Sequence, residues 1–169
     1  MMWYALLVAV VGLERIAELV VSKRNLAWSR VRGGVEFGSG HYPAMVLLHT
    51  GLLLGCLAEV FWLDRPFLPM LGWPMLAVVI AAQALRWWCI ATLGRQWNTR
   101  VVVVPGATRV TGGPYWLMSH PNYVAVIVEG IALPLVHSAW ITACVFTVLN
   151  AVLLTTRINT ENAALARLA

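Results

Sequence analysis

Apolar residues along this chain fall into five long runs, at about Met2 to Val21, Pro43 to Leu63, Leu68 to Ile90, Pro121 to Val136 and Ala139 to Thr156. Short polar segments separate them, and most approach the roughly 20 residues that an α-helix needs to cross a bilayer. The fourth run is short, which suits a helix tilted little, or one joined to the fifth in a tight hairpin bending at Pro134. The pattern predicts an all-α integral membrane protein of about five transmembrane helices. Helices and loops use the whole of residues 1–169, so one domain is expected, without a linker or internal repeat. The first run lacks a basic start and a small-residue cleavage pattern and leads into Glu14-Arg15 and Glu18, so it is expected to stay as a helix.

Composition agrees with the pattern. Sixty per cent of residues are hydrophobic and 11% are charged, against about 25% charged in a soluble domain. The formal net charge of +5 does not predict a nucleic-acid surface, because the basic residues alternate by loop. Lys23, Arg24, Arg30 and Arg32 lie in the first loop, Arg95, Arg100 and Arg109 in the third, and Arg157 and Arg167 in the tail, whereas the alternate loops hold only Arg65. That asymmetry follows the positive-inside rule and places the N-terminus outside and the C-terminus in the cytoplasm. Cys56, Cys89 and Cys144 sit singly in apolar runs with no C-x-x-C spacing, so they read as packing residues and no metal site is expected.

The third loop and the tail hold the candidate chemistry. Val101 to Val104 is β-branched, Pro105-Gly106 is a turn signal and Arg109-Val110-Thr111 follows, so a small β-hairpin is expected. Pro121 suits the first position of the fourth helix, and His120 before it is biased to an extended conformation. The N–H groups of Asn122 and Tyr123 would then be free at a helix N-terminus, which favours an anion such as the carboxylate of an amino-acid moiety. The plainer alternative is a helix cap with an interfacial tyrosine. Arg157 and Glu161, four residues apart on a short C-terminal helix, share one face. They are either a surface ion pair, with Arg157 snorkelling, or a functional pair in which Glu161 binds an ammonium group and Arg157 an anionic acceptor.

Ionisable residues also lie inside the apolar runs. At about 1.5 Å per residue, His49 lies roughly 9 Å and Glu129 roughly 12 Å in from the cytoplasmic starts of their helices. Arg86 lies near the cytoplasmic end of the third helix, where it is a second candidate contact for the acceptor, and Glu14, Arg15 and Glu18 lie in the first. Such groups usually face the interior and pair, so a polar cluster beneath the site is expected. Purely structural pairing is the alternative for Glu14 with Arg15 and for Glu59. His49 and Glu129 are candidate catalytic proton acceptors should the acceptor be a phenol.

Gly113-Pro114-Tyr115, then His120-Pro121-x-Tyr123, then Arg157-x-x-x-Glu161 after a helical hairpin resembles the isoprenylcysteine carboxyl methyltransferase family and its bacterial relatives that methylate phenolic or pyrone lipids. Leu85-Arg86-Trp87 and Leu93-Gly94-Arg95-Gln96-Trp97 extend the resemblance over residues 85–169, the expected cofactor-binding part. Arg24-Asn25, Glu36 and His41-Tyr42-Pro43 are similar to the short bacterial branch. The resemblance implies an S-adenosylmethionine-dependent O-methyltransferase in a bacterial inner membrane, acting on a lipid-like acceptor that enters from the bilayer. It implies that Thr108, Arg109, Val110, Tyr115, His120, Pro121, Asn122, Tyr123 and Glu161 contact the methyl donor, and Arg157 the acceptor, with catalysis resting on Arg157. The chain has Ser119 where relatives commonly have Arg, and Asn162 where they often have a second Glu. No Gly-x-Gly-x-x-Gly fingerprint is present, which disfavours a Rossmann-type methyltransferase. The other function classes are a membrane reductase using a nicotinamide cofactor, which would bind a dinucleotide instead, and a non-catalytic scaffold or transporter, which would not need Tyr115, His120 or Glu161.

Overall fold

The computed structural model describes residues 1–168. Its helices are α1 (Met2–Val31), α2 (His41–Trp62), α3 (Pro69–Leu93), the single-turn α4 (Pro114–Leu117), α5 (Pro121–Leu135) and α6 (Trp140–Leu168). Two short strands, β1 (Val35–Phe37) and β2 (Val101–Val103), lie in the loops before α2 and after α3. By length and composition α2, α3 and α6 can each cross a membrane, while α5 is apolar but shorter at 15 residues. The 30 residues of α1 are long enough, and Glu14, Arg15 and Glu18 interrupt its apolar run.

The buried face of α1 explains why it runs ten residues past the expected end at Val21. Tyr4, Val8, Val11, Glu18, Ser22, Asn25 and Ser29 are buried at helical spacing along one stripe. From Glu18 onward that stripe is polar, so an apolar periodicity ends while the helix continues. It faces polar backbone: Asn25 Nδ2 donates to the carbonyls of Gly94 at 3.0 Å and Trp97 at 2.7 Å. The C-terminal segment expected as a separate short helix is the unbroken continuation of α6. Ala143, Phe146, Asn150, Leu154, Arg157 and Ala164 form its buried stripe.

The apolar core lies toward the end of the bundle where α1 begins. Tyr4, Val8 and Val11 pack there with Leu52, Cys56 and Val60 of α2, Leu133 of α5 and Phe146 of α6. At this end Glu59 of α2 accepts the backbone N–H groups of Ile141 at 3.1 Å and Thr142 at 2.7 Å, the Thr142 hydroxyl, and Arg65 Nε at 3.0 Å. Glu59 therefore caps α6 from another helix, satisfying donors that a helix start leaves open. The reversal between α5 and α6 follows Pro134, whose carbonyl accepts the Ala139 N–H at 2.9 Å. Large apolar side chains such as Leu47, Met70 and Val152 point outward, an arrangement suited to hydrocarbon rather than water.

At the opposite end, β1 and β2 pair antiparallel with Val35 opposite Val103 and Phe37 opposite Val101. This corrects the expected hairpin within the third loop: the partner of Val101–Val103 is the first loop, and Arg109-Val110-Thr111 is not a strand. The Pro105-Gly106 turn does form, with Ala107 N–H donating to Val104 O at 3.1 Å and Gly106 at φ +71°. Pro followed by a positive-φ Gly is the signature of a type II turn, whose twist splays flanking strands instead of pairing them. Both strands rest against α6.

Candidate functional site

The polar end of the bundle brings the start of α5 against the last turns of α6. Pro121 is buried at the first turn of α5, and the N–H groups of Tyr123 and Val124 both bond back to His120 O. Of the two donors expected to be free, Asn122 N–H lacks a backbone partner among the described residues; Tyr123 N–H is used at 3.1 Å. Tyr123 Oη donates to Glu161 Oε2 at 2.5 Å. The His120 ring stacks on Tyr123, with centroids 5.4 Å apart, and places Nδ1 3.7 Å from Glu161 Oε1. Asn122 Oδ1 is buried here without a hydrogen-bond partner among the described residues. Tyr115, on α4, has its phenol pushed upward by burial, then by Cys89 and Glu161, so it stays a proton donor.

Arg157 is buried one turn before Glu161. Its Nη2 donates to Thr99 O at 2.8 Å, its Nη1 to Met45 Sδ of α2 at 2.9 Å, and its Nε is buried with no hydrogen-bond partner among the described residues. The Glu161 carboxylate lies beside the His120 ring and Arg157 is buried on other partners, so the reading of Arg157 and Glu161 as a surface ion pair does not hold among the described residues. Thr99 is itself fixed by Ser22 of α1, whose Oγ accepts the Thr99 N–H at 3.1 Å and meets its hydroxyl at 2.8 Å. Neither Thr99 nor Met45 was visible in the sequence as part of the site. Thr99 contributes a backbone carbonyl and Met45 a thioether, and neither leaves a charge or spacing signal.

One layer deeper, Arg15, Glu18, Arg86 and Glu129 form a closed ring of alternating charge. Arg15 pairs with Glu18 at 2.6 Å and with Glu129, while Arg86 pairs with Glu129 at 2.7 Å and with Glu18 at 3.4 Å. The expected intramembrane cluster exists, but Arg15 pairs across helices and not with Glu14. The ring is neutral overall and joins α1, α3 and α5, with Glu129 held by both arginines. His49 stands apart from it. A carbonyl can only accept, so the 2.9 Å contact between His49 Nδ1 and Met45 O makes Nδ1 the donor and leaves Nε2 with the free lone pair of the neutral ring. The ring meets Phe146 edge-on at 5.6 Å.

The remaining candidates lie on the loop after β2. Thr108 and Arg109 are exposed and Val110 half-buried, with Thr108 O accepting from Gln96 Nε2 at 3.2 Å. No hydrogen bond among the described residues ties these three to His120, Tyr123 or Glu161. The loop returns to the bundle at Gly113, with φ +55°, where a Cβ would lie 2.6 Å from Thr92 Oγ1 of α3. Arg100 stitches the first loop to the third through Glu36 at 2.6 Å and lies over the Tyr42 ring at 4.0 Å. Between α2 and α6 an apolar slot of about 590 Å³ runs from Ala44 and Leu153 to Gly55 and Thr142, within the usual size of ligand pockets.

A polar site at one end of a bundle of apolar helices defines the class, and the sequence gives it a family. Residues 75–167, more than half of the chain, match the isoprenylcysteine carboxyl methyltransferase (ICMT) family, and the chain belongs to it. It is thus a membrane protein of a methyltransferase family. It is also 40% identical over 166 residues to the uncharacterized protein YpbQ of Bacillus subtilis (strain 168), covering 98% of this chain and 96% of that relative. No solved structure matches the chain.

Proposed function

We propose that the protein is an S-adenosylmethionine-dependent O-methyltransferase for a lipid-like acceptor, with the donor at the mouth of α5 and the acceptor at Arg157. The observation that carries this reading is the placement of the Glu161 carboxylate on Tyr123 and beside His120, one helical turn from an arginine whose Nε is buried and unpartnered. Buried polar atoms are ordinarily bonded, so Arg157 Nε and Asn122 Oδ1 mark positions for ligand atoms. The donor set fits an amino-acid moiety: Glu161 and Asn122 Oδ1 suit an ammonium group, and the Asn122 N–H at the helix start suits a carboxylate. Pro121 shapes that helix start, and Tyr115 supplies a phenol beside it. Thr108, Arg109 and Val110 are assigned to the donor on the family pattern alone.

S-adenosylmethionine, when bound, supplies an electrophilic methyl group. The chain's own residues align and discharge. Arg157 offers a planar fork, with Thr99 and Met45 fixing its two terminal nitrogens, so that an acceptor oxygen meets a preset geometry. A carboxylate acceptor needs no base. A phenol needs one, and His49 Nε2 supplies the lone pair, because both Arg15 and Arg86 already engage Glu129. Arg86 is then a holder of the charge ring and not an acceptor contact. The loop charges support a cytoplasmic side for this site, and the family resemblance supports a bacterial inner membrane.

Glu161→Gln and His120→Ala test the donor site by titration calorimetry of the detergent-solubilised protein. Losing a charge-assisted bond costs roughly 1.5–3 kcal/mol, so donor affinity is expected to fall about tenfold or more in Glu161→Gln. Both side chains are partly exposed at the rim, so folding is expected to survive. Unchanged affinity in both variants would remove the pocket from this place.

A further inference from the structure

Between β2 and α5 the chain makes one isolated helical turn, α4, whose two sides differ in chemistry. Gly113, at φ +55°, starts it; a Cβ there would lie 2.6 Å from Thr92 Oγ1 and 3.1 Å from Trp88 Nε1, so the backbone rests directly on α3. Pro114 is buried, and the Met118 N–H closes the turn on Pro114 O at 3.3 Å. Successive side chains on such a turn point about 100° apart. Tyr115 faces inward beside Cys89 and Glu161. Trp116 and Leu117 are 80% and 62% exposed, and Met118 is exposed next to them. An ordered apolar patch of this kind marks a surface that something covers.

The height of the patch on α3 identifies what covers it. The 25 residues of α3 span about 37 Å at the helical rise, against about 30 Å for a hydrocarbon core. Centred on α3, that core ends near Ala91, between the two residues on which Gly113 rests. Trp73 and Trp88, both exposed on α3 and about 22 Å apart, fall in the two interfacial zones where membrane proteins concentrate tryptophan. Trp116 joins the belt to which Trp88 belongs. Arg95, exposed and three residues past Thr92, stands on the water side of that belt, where lipid phosphates lie. We propose that Trp116, Leu117 and Met118 are a membrane anchor for the donor loop: they insert among the lipid head groups of the leaflet on the site's own side and so hold Tyr115 against the donor pocket. The proposal rests on the methyltransferase reading for what the pocket holds, and not for the seating in lipid. Three side chains on one turn are far fewer than the roughly 20–30 residues a side of a stable protein interface, whereas a lipid interface takes each of them singly.

The test uses the full chain in phosphatidylcholine nanodiscs with Trp116→p-benzoylphenylalanine, irradiated and read by mass spectrometry. Ala107→p-benzoylphenylalanine, on the exposed turn after β2, is the comparison. Phospholipid adducts are expected about tenfold more often at position 116 than at 107, since the first meets lipid and the second water. Adducts at 116 to the chain itself or to a second copy, or lipid adducts equal at the two positions, would overturn the anchor. Trp116→Ser combined with Leu117→Ser is expected to weaken S-adenosylmethionine binding by about fivefold or more in the same nanodiscs. Trp116→Phe keeps an aromatic ring at the interface and is expected to stay within about twofold. Both side chains are exposed, so the core loses no contact and the helical circular dichroism is expected to be unchanged. Unaltered donor affinity in the double variant would overturn the hold on Tyr115. A protein that forms the lipid adduct at 116 but binds no S-adenosylmethionine in any form would keep the anchor and remove the methyltransferase reading.

Discussion

Replacing Arg86 with methionine removes one corner of the charge ring beneath the site and leaves Glu18 and Glu129 to share Arg15. The three partners are 5–15% exposed, so solvent does little to screen the excess negative charge. Breaking a buried pair by removing one member costs about 3–5 kcal/mol, roughly a fifth or more of a typical total stability of about 5–15 kcal/mol. The double variant Arg86→Met with Glu129→Leu removes one cation and one anion together and leaves Arg15 paired to Glu18 on α1. Replacing a buried pair by apolar side chains is often neutral or better, so the double variant is expected to lie within about 1–2 kcal/mol of the starting protein. The two substitutions thus couple by several kcal/mol. Unfolding by dodecyl sulfate in maltoside micelles, followed through the nine tryptophans, measures the cycle. Additive losses, with the double variant as weak as the sum of the singles, would refute charge balance as the reason the ring is stable.

Arg157→Lys keeps the charge but loses the planar fork, so donor affinity is expected to stay within a few fold while single-turnover methyl transfer falls about tenfold, roughly 1.4 kcal/mol. Parallel loss of both would move Arg157 into the donor site. Glu59→Ala strands the N–H groups at the start of α6 and is expected to lower stability by about 2 kcal/mol, with Glu59→Gln losing roughly half as much because it keeps one acceptor oxygen; equal melting temperatures for all three proteins would remove the cap. Cysteines introduced at Ser39 and Thr108 are expected to react with a membrane-impermeant maleimide only from the cytoplasmic side, and one at Asp64 only from outside. Labelling of the Thr108 position from outside would invert the placement.

The extents of α2, α3 and α5 were legible within about three residues, because each carries its apolar signal on nearly every face. The second half of α1 was not, since its buried stripe passes through Ser22, Asn25 and Ser29 and reads as a polar loop. Strand pairing was also hidden: three valines carry no alternation to choose a partner, and the one they take lies in the first loop. At the candidate site, loop charges put the His120 and Glu161 motifs on one side of the membrane, and the family resemblance implied that His120, Tyr123 and Glu161 meet. The grip on Arg157 could not be anticipated, because it comes from a backbone carbonyl and a thioether, which carry no charge or spacing signal.

Arg157 and Glu161 ride on one uninterrupted helix that begins at Trp140 on the far side of the bundle. Their offset of about 6 Å is set by helical pitch and not by any loop. Insertions in the connections between helices therefore leave that offset intact, whereas one residue added between positions 157 and 161 would swing Glu161 by about 100° off the face it shares with Arg157. Length variation among homologues should accordingly concentrate in the loops and be absent from this stretch of α6.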